Sequence, residues 1–258
     1  MKAPNSRRSG QSGQAAVEAA LTLPLTVFLI LGILQLFMML QARVMAEYAA
    51  FRATRAGSVR HGDCEAMTHA AILALLPTFH SYLGNDLSGS PADKLGQAFG
   101  LRKNNQYTPG NRGYQDGKHS GSIVWIIRES PRGITDDEDL NFDEPRTAVM
   151  RLETRLVYWF PLKIPFANWV ISRMVLAHWG LMNYTATNPL MPTQKARWKK
   201  SVAMTVSLDS AIVEEMLGRV STEQYVIPIH ASASLRMMTP AQGRYFRTFN
   251  CPPAPETL

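Results

Sequence analysis

Few side chains in this sequence are placed to do chemistry, and the ones that are sit near its two ends. Glu18 stands at the lip of a long uncharged run. An ionised carboxylate there costs on the order of 1–3 kcal/mol, depending on depth, unless a cation neutralises it. Cys64 and Cys251 are the only cysteines. In a reducing compartment they read as two unrelated thiols; in an oxidising space beyond a membrane, two is the number that makes one bridge. Closing so long a loop would stabilise the fold by roughly 3–5 kcal/mol.

Other chemistry-bearing clusters fail on spacing. His61, Asp63, Cys64 and Glu65 are all capable of binding a metal, but no second suitable pair follows, so a surface turn is expected. Asp136, Asp137, Glu138, Asp139, Asp143 and Glu144 offer oxygens to calcium but lack the glycine and terminal glutamate of an EF-hand, and read as a solvated loop. In GNRGYQDGKHSGS, Arg112 stands where a phosphate loop needs its first glycine and His119 where it needs Ser or Thr. Lys195, Arg197, Trp198, Lys199 and Lys200 form a short basic run of the kind usually just exposed. No Ser, His and Asp set can be named from spacing. The chain therefore reads as a non-enzyme with no metal and no cofactor.

The elements that carry these residues begin with the uncharged run itself. From Ala19 to Leu40 there are 22 residues without a charge, which as a helix span about 33 Å, the thickness of a bilayer. The run is longer than the apolar core of a cleaved secretory signal, and Gln41, Arg43 and Glu47 follow it instead of a small-residue cleavage site, so it reads as a retained anchor. Pro24 inside it is expected to kink the helix or leave a carbonyl free. Charge counting does not orient the span, with Lys2, Arg7 and Arg8 before it and Arg43, Arg52, Arg55 and Arg60 after.

Past the run, Gln41 to Ala56 has no Pro or Gly, and the helix should continue to a stop at Gly57. Ala42, Ala46, Ala49, Ala53 and Ala56 form a small-residue row suited to close helix approach, either on the chain's own domain or on another subunit.

Glu18 also fits a longer pattern. Counting back five residues from it makes Gln14 position one, with Gly13 directly before. A Gly at minus one and a Glu at plus five ahead of an apolar helix resembles the processing site of type IV prepilins. The run GQAAVEAALTLPLTVFLILGI, with the later stretch ARVMAEYAAFRATRAGS, resembles TadE-like minor pilins of the tight-adherence (Tad/Flp) pilus systems. The likeness covers about residues 10 to 60.

It implies cleavage at Gly13 by a prepilin peptidase on the cytoplasmic side, an inner-membrane anchor and a periplasmic C-terminal part. It also implies other pilins, pseudopilins and an inner-membrane assembly platform as partners. A glycine leaves the scissile bond unobstructed, and the amine created at Gln14 can pair with Glu18 of a neighbouring subunit among apolar side chains. The alternative is a permanently anchored periplasmic enzyme or binding protein with an unrecognised site.

The division expected is 1–13 leader, 14–57 membrane helix with its extension, and 58–258 a periplasmic α+β domain. Apolar residues make up 46% and charged residues 18%, enough to fold a core. The net charge of +7 falls to +4 without Lys2, Arg7 and Arg8, and the remaining basic residues are scattered, which argues against nucleic acid as a partner.

A second helix is expected over 65–76, ended by Pro77 and folded back on the first; loops over 84–122; and strands over 123–127, 147–160 and 225–237 in a small antiparallel sheet. Residues 161–182 read as core with a helix from Ala167. A partner groove or membrane-surface patch is the other reading, and Lys163, Arg173 and His178 argue against a second span. Residues 202–219 are read as a strand and a short helix.

Overall fold

The computed structural model describes residues 12–79, 88–106, 120–132, 134, 150–179, 185–187, 195–197 and 209–258. A single helix, α1, runs from Ser12 to Val59, about 70 Å at 1.5 Å per residue. Its two parts differ in what they touch. Up to Leu40 most side chains are exposed, whereas Ala42, Ala46, Ala49, Ala50 and Ala53 have at most 1% of their surface exposed. The alanine row thus packs within this chain, with Ala56 half-buried beside it.

The helix does not stop at Gly57. A Cβ there would lie 2.6 Å from Met67 Sδ and 2.7 Å from Leu152 Cδ2, so this glycine admits neighbours rather than ending the helix. The exit comes at His61 and Gly62, with φ of 56° and 87°, where the Gly62 amide returns to the Gly57 carbonyl at 2.9 Å.

Helix α2, Cys64–Phe79, packs back along α1 after a short connection, as expected. It continues through Pro77 instead of ending there. Pro77 and Leu73, whose carbonyl the proline cannot serve, both lie on the exposed face, so water can replace the missing bond.

A third helix, α3 (Pro91–Asn104), stands where loops were expected. Ser90 and Asp93 form a reciprocal capping box at its start, and Asn105 closes it in the left-handed region. The hydrogen bonds from Ser90 hold the Asp93 carboxyl below its ordinary value. Buried Arg102 ties α3 inward, bonding Asn105 Oδ1 at 3.2 Å and lying 4.5 Å from the Phe79 ring.

The remaining elements are β1 (Val124–Ser130), β2 (Arg151–Pro161), α4 (Ala167–His178), the short pair β3 (Thr185–Thr187) and β4 (Lys195–Arg197), α5 (Ser210–Ser221), β5 (Val226–Arg236) and β6 (Asn250–Cys251). β1, β2, β5 and β6 form one antiparallel sheet in the order β5-β2-β1-β6. The architecture is the expected α+β, a long apolar helix followed by an antiparallel sheet with helices.

Strand alternation divides the core in two. Val124, Ile126, Leu156, Tyr158, Ile229 and Ala231 face α1 and α2. Trp125, Ile127, Val157 and Trp159 face Leu176 of α4 and Ile212 and Met216 of α5. A buried hydroxyl pair, Thr54 to Thr154 at 2.6 Å, fixes α1 on β2.

Two buried arginines anchor the periphery. Arg219 meets Glu215 at 2.7 Å, Gln224 Oε1 at 3.1 Å and the Ser122 carbonyl at 2.6 Å, over the Trp159 ring. Arg128 donates to the carbonyls of Tyr245 at 2.7 Å, Phe249 at 3.1 Å and Thr248, stitching the C-terminal segment to β1.

Candidate membrane anchor and processing site

Gly13 and Gln14 lie in the first turn of α1, and Glu18 follows one turn later. The Glu18 side chain is exposed, and its backbone carbonyl accepts the Thr22 hydroxyl at 2.8 Å. Thr26 bonds the Leu23 carbonyl in the same way at 2.8 Å. Both hydroxyls are thereby satisfied on the helix itself, which an apolar solvent requires. Pro24 sits between them in a helix that continues on both sides; it leaves the Ala20 carbonyl without its usual amide.

Around this turn Leu21 is 72% exposed, and Leu25, Leu29, Ile33 and Phe37 are exposed as well. Leucines on every face, uncovered by the folded part, are the pattern of a lipid-facing helix and not of a core helix. Among the described residues α1 is the one helix long and apolar enough to cross a membrane, which is consistent with single-pass anchoring through that segment.

The folded part reaches this helix lower than the sequence implied. Gln35, the lone carboxamide of the uncharged run, is fully buried, and its Oε1 accepts the Ile164 amide at 3.0 Å. Its Nε2 has no hydrogen-bond partner among the described residues. Phe28 meets Phe166 edge-to-face at 5.5 Å. Sequence reading passed over Gln35; a single carboxamide amid leucines was the signal available.

At the far end of α1 the candidate cysteines come together. Cys64, at the start of α2, and Cys251, on β6, form a disulfide with Cα atoms 5.1 Å apart. Their neighbours are occupied in structural roles: His61 Nδ1 lies 2.8 Å from the Pro240 carbonyl, and Asp63 accepts the Glu65 amide at 3.0 Å. Glu65 pairs with Lys103 at 3.4 Å beside an open cleft of about 500 Å³. Among the described residues no group of three metal-capable side chains converges. The acidic run at 136–144 and the glycine-rich loop at 110–119 lie outside the described residues, and of the basic run only the backbone of Lys195 to Arg197, in β4, lies within them.

No curated protein and no solved structure matches the chain. One family model does, that of the TadE-like protein, over residues 13–55. The match begins at Gly13 and ends within α1, so it covers the anchor and its extension and none of the sheet. Over that helix, and over that helix alone, this chain is similar to the TadE-like family.

Proposed function

We propose that the chain is a minor pilin or pseudopilin of a tight-adherence pilus, held in the inner membrane by α1 with its folded part in the periplasm. The observation that carries the reading is the coincidence of Gly13, Gln14 and Glu18 with the start of the TadE-like segment. Prepilin peptidase cuts between Gly13 and Gln14 on the cytoplasmic side. The first turn of α1 opens for this step, as the amides of a helix's first turn have no partners within the helix and fray readily. The new amine neutralises Glu18 of a neighbouring pilin as both leave water, so that assembly removes a charge that is costly in lipid. The sheet and its helices supply recognition by the other pilins and the assembly platform. The Cys64–Cys251 bridge suits the oxidising periplasm.

The test is mass spectrometry and pilus shearing in cells that contain the peptidase. The mature chain is expected to lack Met1 to Gly13, and Gly13→Ala is expected to keep the leader. Gly13→Ala and Glu18→Ala are each expected to remove the chain from sheared pili. A full-length mature chain with unchanged pili in both variants would leave a static anchor bearing a periplasmic enzyme or binding domain.

A further inference from the structure

We propose that α4 and the turn leading into it are seated in the leaflet next to the folded part, so that the sheet domain docks on the bilayer instead of standing clear of it on a stalk. The proposal rests on α1 being the membrane span.

The first observation is depth. Phe166 touches Phe28, and Ile164 bonds Gln35. Along α1, Phe28 lies about 18 Å below Leu40 and Gln35 about 8 Å below it. The approach to α4 therefore meets α1 about 8–18 Å inside that end of the uncharged run, at the depth of the adjoining leaflet and not above it.

The second is the face α4 turns outward. Ala167 and Leu176 are buried inward, while Phe166, Trp169 and Met174 are 58%, 45% and 65% exposed. A helix lying in the headgroup region buries such a face by about 5–10 Å, with tryptophan favoured there. His178, exposed at the far end of α4, is the polar side chain placed to reach the headgroups.

The third is the backbone, since amides in lipid have no water to turn to. The Ala167 amide bonds the Pro165 carbonyl at 2.9 Å, Asn168 that of Ile164 at 2.9 Å, and Val170 that of Phe166 at 3.1 Å. The Trp169 amide is taken by Asn168 Oδ1 at 2.6 Å. The amides that a helix start usually leaves to water are thus satisfied within the chain at the end nearest α1. The Ile164 amide, on the approach to α4, is taken by Gln35.

The test places a spin label on the full oxidised chain in phosphatidylethanolamine–phosphatidylglycerol vesicles and compares collision with oxygen, which concentrates in lipid, and with a water-soluble nickel chelate. Met174→Cys reports α4. Met238→Cys, also 65% exposed but beside Ser58 at the top of α1, reports water. Ile30→Cys reports the span. The oxygen-to-nickel ratio at position 174 is expected to exceed that at 238 severalfold and to approach that at 30. A ratio at 174 equal to that at 238, with position 30 in lipid, would overturn the docking and leave the anchor intact. Water access at position 30 would overturn the span reading and the docking with it. Shielding of 174 from both reagents, with dipolar coupling between labels, would mean a second copy covers α4 and would also overturn the proposal.

Discussion

Arg128 shows how a scattered charge becomes architecture. Its side chain is 1% exposed, lies 4.4 Å from the Phe246 ring, and holds three carbonyls of the C-terminal segment. Burial pushes its pKa down to about 10, with Glu256 opposing. Arg128→Met removes the donors and strands buried acceptors, and is expected to lower unfolding free energy on the order of 3 kcal/mol in chemical denaturation. His230, half-buried on β5, is shifted below its ordinary 6.5 first by burial, then by Arg155 and by Arg43, against Asp209. The unfolded chain therefore takes up the proton at higher pH than the folded one. Stability present above about pH 6.5 is lost as pH falls through and below that value. Denaturation midpoints across that window are expected to fall less steeply in His230→Asn than in the parent chain. Neither role was legible in the sequence, where a basic residue in a strand gives no sign of what stands opposite it. The pairing of the two cysteines was legible because an otherwise cysteine-free chain is itself a sequence feature.

At the scale of elements, α1 is two helices in function. The lower part is bare on nearly all faces; the upper part buries a row of alanines against β2 and β5. Small side chains let the helix axis approach the sheet closely, and there is no room for larger ones. Ala49→Leu is expected to cost about 1–3 kcal/mol in thermal or denaturant unfolding through overpacking, while leaving the chain in the membrane fraction. The strands were readable from alternation, and α4 began at Ala167 as its apolar stretch suggested. α3 was missed because Gly96 and Gly100 lie inside it and glycine is a poor helix former. The S-P-A-D sequence at 90–93 was the overlooked start signal. The stop assigned to Gly57 failed for a different reason: a glycine that admits Met67 and Leu152 looks, in sequence, the same as one that ends a helix.

For the whole molecule, the anchor, its extension and the sheet are joined by packing of α1 on β2 and β5 and by the Cys64–Cys251 bridge. Reduction, or a paired Cys64→Ser and Cys251→Ser change, is expected to lower unfolding free energy by about 3–5 kcal/mol through the entropy of the released loop, measured by denaturation with and without reductant. The overall class followed from the sequence because an uncharged run of bilayer length and late alternating segments leave few arrangements. The meeting of Phe28 with Phe166 and of Gln35 with Ile164 did not, since contacts more than a hundred residues apart leave no local pattern.

The position of that bridge also decides how the chain answers tension. Cys64 lies just past the end of α1 and Cys251 close to the C-terminus, 187 residues further on. A pull between the membrane and the tail crosses one sulfur–sulfur bond and bypasses the sheet. Roughly 620–670 Å of contour length is thus locked away. Single-molecule stretching of the oxidised chain should show none of that extension, and reductant should release it.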